Sequence, residues 1–168
     1  MAILRCTIKL LSELKENPED SSQLHTDLSS WHANLLRIDR RKCVLFTHDK
    51  TLYSFLVPGL TQLHFQDIRE VFRRSLFKNM MAEEIPQKQI EVFLNDLREI
   101  EIAKTNNRSV LGSMNDLTFQ LKYQIAYEGG LLNINFAKLN HDLNRIPMGA
   151  IEEIYSIHEL TKFLKSQI

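Results

Sequence analysis

The sequence predicts an α+β fold, an antiparallel or mixed sheet of about four to five strands packed against several helices. Three observations carry this: a short apolar stretch at residues 3–6, three apolar runs parted by polar turns between residues 31 and 57, and later segments whose apolar residues recur at helical spacing. Residues 3–6 form the first strand. Thr7 is placed to cap a helix that turns Ile8, Leu11 and Leu14 inward, and Asn17-Pro18 ends it. Residues 17–30 are polar, with Leu24 and Leu28 the large aliphatics among them, and read as a surface loop.

The runs at 33–38, 43–47 and 51–57, joined through 39–42 and 48–50, predict a central three-stranded antiparallel meander closed by Pro58-Gly59. Both faces are apolar, since Leu36 and Ile38 alternate with Leu35 and Val44 and Phe46 with Leu45, so the sheet should be covered on both sides. Phe65, Ile68, Phe72, Leu76 and Met80 keep a 3.6-residue register, and Ile90, Phe93, Leu94 and Leu97 repeat it after Pro86; these predict an antiparallel helix pair. Ile100 and Ile102 mark another strand. Leu117, Leu121 and Ile125 predict a helix that Gly129-Gly130 stops, Phe136, Leu139 and Leu143 a further one broken by Pro147, and a capping box at Ser156-Ile157-His158-Glu159 opens the last, which buries Leu160, Phe163 and Leu164.

With 168 residues, 43% hydrophobic and 25% charged, the chain fits one globular domain over residues 1–168 that needs no disulfide or metal to hold its core. Cys6 and Cys43 lie in apolar runs and are expected as free, buried thiols. No leader pattern opens the chain and no run approaches the ~18 apolar residues of a membrane span, so a cytoplasmic location and no membrane partner are expected. The 21 basic and 21 acidic residues cancel, which excludes a bulk field for nucleic acid or membrane. Their distribution is uneven: Glu13, Glu16, Glu19, Asp20 and Asp27 make residues 13–28 acidic, and Arg37, Arg40, Arg41, Lys42 and Lys50 make residues 37–50 basic.

The chain lacks a GxGxxG fingerprint, a Walker loop and a GxSxG elbow, and its histidines at 25, 32, 48, 64, 141 and 158 have no ligand spacing, so no cofactor and no metal are expected. The densest run of chemistry is Asn106-Asn107-Arg108-Ser109-Val110-Leu111-Gly112-Ser113-Met114-Asn115-Asp116, where a strand hands over to a helix. Free N–H groups at a helix start and the fork of Arg108 suit a phosphate or carboxylate. Capping by Ser109 or Ser113, with Asn115 and Asp116 in the first turn, explains most of the same residues and leaves Asn107 and Arg108 over. A second candidate joins Trp31, His32 and Asn34 to the basic turn Asp39-Arg40-Arg41-Lys42, which can grip phosphates while Trp31 or His32 stacks on a base. Arg69, Arg73, Arg74 and Lys78 read as a solvated helix face, with Glu70 spaced to pair with Arg74. Asp39, Asp49, Asp116 and His32 supply an acid and base set if the fold gathers them.

Leu4-Arg5-Cys6-Thr7 with Lys9-Leu10-Leu11, Trp31-His32-Ala33-Asn34-Leu35, Phe46-Thr47 with Lys50-Thr51-Leu52, and the run from Asn107 to Asp116 resemble a family of small bacterial proteins of unassigned activity. The resemblance covers most of the chain and implies a self-contained domain, with no catalytic residue to carry over. The residues themselves favour a binding protein for an anionic partner, a nucleic acid or a phosphorylated small molecule such as a nucleotide. The alternatives are a phosphoester-processing enzyme with His32 or Asp116 handling protons, and a protein-interaction or regulatory module that uses the acidic and basic segments for self-association or partner docking.

Overall fold

The computed structural model describes residues 1–19 and 29–167. Leu24 and Leu28 of the expected loop, and Asp20 and Asp27 of the acidic segment, lie outside the described residues. A five-stranded mixed sheet runs β4-β3-β2-β1-β5, built from β1 (Ala2–Cys6), β2 (Ser30–Ile38), β3 (Arg41–His48), β4 (Ser54–Val57) and β5 (Ile100–Lys104). Strands β2, β3 and β4 are the antiparallel meander that the sequence predicts. Strand β1 lies between β2 and β5 and pairs in parallel with both.

Around the sheet stand α1 (Ile8–Leu14), α2 (Gln62–Gln66), α3 (Ile68–Ala82), α4 (Gln87–Asn95), α5 (Arg108–Tyr127), a single 3-10 turn (Leu131–Asn133), α6 (Phe136–Leu143) and α7 (Ser156–Ser166). Strand alternation gives the sheet two buried faces. One packs Leu4, Trp31, Val44, Phe46 and Phe55 against Leu10, Phe65, Phe72, Leu76, Ile90 and Leu160; the other packs Leu36, Ile38, Cys43, Leu45 and Leu56 against Val110, Met114, Leu117, Leu121, Ile125, Leu139 and Leu143. Strand β2 continues five residues past its last pairing with β1, about 17 Å of extended chain, so the β2–β3 hairpin outreaches the parallel strands.

Three local expectations are corrected. In α1 the buried residues are Leu10 and Leu11, whereas Ile8 stands in the first turn 86% exposed, and the Thr7 hydroxyl donates to Asn34 instead of capping the helix. The long helix expected from Phe65 to Met80 divides at Asp67 into α2 and α3, while Phe65, Ile68, Phe72, Leu76 and Met80 all stay buried. Ser156 is the first helical residue of α7, not its cap. Its hydroxyl donates to Asn144, and Glu159 accepts the Glu153 N–H, so both halves of the expected box are engaged elsewhere.

Strand β4 lies at an edge of the sheet, and Asn140 of α6 and Asn144, the residue that ends the helix, stand four residues apart on the side turned toward it. The Asn144 carboxamide accepts the Ser54 N–H and donates to the Ser54 carbonyl, both at 2.7 Å. Asn140 does the same for Leu56, at 2.8 and 3.2 Å. Two side chains therefore take the place of a sixth strand.

Replacing the fully buried Asn144 by Ala orphans two edge groups. Each such loss costs roughly 1–3 kcal/mol, so urea unfolding should register a drop of about 2–6 kcal/mol, against less than ~0.5 kcal/mol for the exposed Lys88→Ala. Cys6 and Cys43 are free and buried, and burial, reinforced by the Glu16 carboxylate, pushes the Cys6 thiol up to about 12. Burial raises Cys43 as well. A raised value keeps the thiol protonated and unreactive. Iodoacetamide at pH 8 should leave both unmodified in the native protein and label both in urea, read by mass spectrometry.

Candidate functional site

Strands β1 and β5 end level with one another, Cys6 opposite Lys104. From there the chain leaves toward opposite faces, through Thr7 into α1, which packs on one core, and through Thr105, Asn106 and Asn107 into α5, which packs on the other. Where neighbouring parallel strands send their connections to opposite sides, a crevice opens outside their carboxyl ends, the usual place for a ligand in an open sheet. Residues from three of the four sequence blocks, Arg5 and Thr7, His32 and Asn34, and Asn107 and Arg108, lie at this end of the parallel strands.

His32 of β2 is fully buried just below this opening. Its Nδ1–H donates to Asp49 Oδ1 at 2.6 Å, an assignment set by the network, which leaves Nε2 to accept the Asn106 N–H at the long distance of 3.5 Å. Asp49 is itself fixed in the turn after β3, where its N–H donates to Ser30 O. Of the possible acid and base set, His32 and Asp49 meet, whereas Asp39 stands at the hairpin tip and Asp116 on the exposed side of α5. The pair orients the imidazole and ties the β5–α5 loop to β2. Beside it Thr7 donates to Asn34 Oδ1 at 2.8 Å, and Arg5 donates to Lys104 O at 3.0 Å.

The polar side chains form a row. Arg5, His32, Thr47 and Ser54 are register partners on β1, β2, β3 and β4, share the face under α5 and α6, and are all buried. Thr47 and Ser54 join hydroxyls at 2.8 Å, and Ser54 Oγ also donates to Leu52 O.

At the start of α5 the cap is Asn107, which corrects the expectation for Ser109 or Ser113. Its carboxamide oxygen accepts the N–H groups of Ser109 and Val110 at 3.0 and 3.1 Å, which occupies donors that an anion would otherwise use. Ser113 turns inward, Ser109, Asn115 and Asp116 are exposed, and a methyl at Gly112 would meet open space, so no close approach requires that glycine. Arg108 is exposed and forms no ion pair with the described residues.

The basic hairpin lies elsewhere. Asp39 and Arg40 form its two-residue turn with φ of 50° and 65°, the left-handed pair that such tight hairpins use. Asp39 accepts the Leu131 N–H at 2.6 Å, docking the tip on the turn after α5. Arg108 and the tip thus stand at the two ends of α5, 20 residues or about 30 Å apart. Arg40 and Arg41 are exposed, while Lys42 pairs with Glu13 at 2.6 Å, where the acidic and basic segments meet. Trp31 is packed among His48, Phe55, Phe72 and Phe93 and offers no face to a base. On α3, Arg69 and Arg73 donate to the carbonyls of Ile100, Leu97 and Arg98, and Arg74 pairs with Glu70 as its spacing predicts.

Among the described residues no group of three or more His, Cys, Asp or Glu is placed to hold a metal ion, and no helix is long and apolar enough to cross a membrane. Thr7 carries no site signal in the sequence, because only the strand order brings it to Asn34. Phe119, Tyr123 and Tyr127 stand exposed at four-residue intervals on α5, away from Leu117, Leu121 and Ile125, and that spacing is their signal in the sequence.

Sheet and crevice together define an α+β protein with a polar opening at the ends of its parallel strands. The chain belongs to the family described as a domain of unknown function, DUF6933, whose model matches residues 3–159. Searches of curated proteins and of solved structures return no match.

Removing the carboxylate in Asp49→Ala strands the His32 ring in a dry site and loosens the loop it holds. The expected outcome is a loss of about 1–3 kcal/mol with faster hydrogen exchange at the Asn106 amide, whereas Asp49→Asn, which keeps the acceptor, retains most of both.

Proposed function

We propose that this chain is a binding protein for an anionic partner, a nucleic acid or nucleotide, in the bacterial cytoplasm. The observation that carries the reading is the exposed guanidinium of Arg108, without an ion pair among the described residues, at the opening between the ends of β1 and β5. Its position on the first turn of α5 favours an anion through the helix dipole as well as through its own charge. Behind it, His32 and Asp49 hold the loop from Asn106 in place, so the site's shape precedes binding. Arg40 and Arg41 offer further phosphate contacts at the far end of α5.

One observation favours a second reading. The His32–Asp49 pair has the geometry of an oriented base, which suits a phosphoester-processing enzyme. Against it stand the full burial of the ring and the engagement of Nε2 by Asn106. Equal turnover of phosphodiester and nucleotide substrates by wild type and His32→Ala would exclude it.

Fluorescence anisotropy with a short labelled oligonucleotide tests the leading reading. Affinity should fall as salt rises, and Arg108→Ala should weaken binding about 5- to 10-fold while reducing the salt slope by about one contact. An affinity indifferent to both salt and Arg108 would overturn it.

A further inference from the structure

We propose that the exposed face of α5 is a stacking surface for single-stranded nucleic acid; this rests on the anionic-partner reading and names the partner. Phe119, Tyr123 and Tyr127 are 74%, 66% and 78% exposed, far beyond what the fold requires of large rings. The opposite side of α5, with Val110, Met114, Leu117, Leu121 and Ile125, already supplies the helix's packing. Four-residue spacing puts the rings on one stripe about 6 Å apart along the axis. A stacked strand advances about 3.4 Å per nucleotide, so a ladder at this spacing takes separated bases, each on its own ring.

Exposed cations flank the stripe. Arg108 begins the helix, Lys122 lies beside Tyr123, and Arg40 and Arg41 stand at the hairpin tip that Asp39 docks on the turn after α5; all four are exposed and none has an ion pair among the described residues. Phosphates running along the helix meet Arg108 at its start and Lys122 beside Tyr123, with Asp116 and Glu128 the carboxylates they must pass, and Arg40 and Arg41 stand beyond its end.

A groove of about 410 Å³ opens next to Phe119, with Ser113, Asp116 and Gln120 on the α5 side and Met148 and Gly149 opposite. Its hydroxyl, carboxylate and carboxamide suit the donor and acceptor edge of one unstacked base. A duplex presents base edges and hides base faces, so it cannot use the rings. Asn115, Lys122 and Gln124 interrupt the rings, so the stripe lacks the continuous apolar seam on which a partner helix packs.

The test is anisotropy titration of labelled oligothymidine and of the same strand in duplex, with static light scattering on each variant and thermal melting to confirm folding. Oligothymidine should bind at least ~10-fold more tightly than duplex, and Tyr123→Ala or Phe119→Ala should weaken it about 5- to 100-fold with the melt unchanged. Binding that needs Arg108 but ignores Phe119, Tyr123 and Tyr127 would overturn the stacking surface and leave the anionic-partner reading standing. No binding of either probe at low salt would overturn both. A concentration-dependent dimer abolished by Tyr123→Ala would assign the face to a second copy of the chain and overturn the proposal.

Discussion

Burying a row of polar side chains across the middle of a sheet makes the rest of the molecule answerable to their hydrogen bonds. Arg5, His32, Thr47 and Ser54 sit level on four strands, and each unsatisfied group there would cost on the order of 1–3 kcal/mol. Thr47 and Ser54 bond to each other within the row, and the remaining partners come from outside it. Arg5 reaches the end of β5, His32 takes Asp49 and the β5–α5 loop, and the Ser54 hydroxyl donates to Leu52 O while its backbone takes Asn144. Connections distant in sequence are thereby pinned to one level of the sheet, and the apolar packing above and below is built to that fixed line.

The same level is where the topology opens. Because β1 lies between β2 and β5 and parallel to both, its exit and that of β5 have to clear each other, and they do so by taking opposite faces. The hairpin of β2 and β3 continues beyond that point with α1 on one side and α5 on the other. Polarity at the strand ends and reach at the hairpin are therefore two results of a single insertion, that of β1 into the sheet.

Much of this was readable from residue patterns. The meander, the fifth strand and the helices from Ile68 onward follow from alternation and 3.6-residue spacing, which local chemistry enforces. Cap positions were less readable, because Thr7, Ser109 and Ser156 all carry suitable hydroxyls and tertiary partners decide which are used. Thr7 goes to Asn34, Ser156 to Asn144, and Asn107 takes the role assigned to its neighbour. Trp31 shows the same limit: in sequence it adjoins His32 and looks like part of a polar cluster, but strand alternation sends the two to opposite faces. Whether Arg108 and the hairpin shared a surface was a matter of strand order, which no spacing encodes.

Asn140 and Asn144 close one edge of the sheet to other molecules. A free strand edge is a template on which any extended peptide, including another copy of the same chain, can pair and propagate. With the N–H and C=O of Ser54 and Leu56 engaged within the molecule, that side cannot seed a continuous sheet between molecules. Recognition on this flank has to proceed through side chains on helices and loops, and the meander is kept from amyloid-like growth without a charged or proline-bearing strand to blunt it.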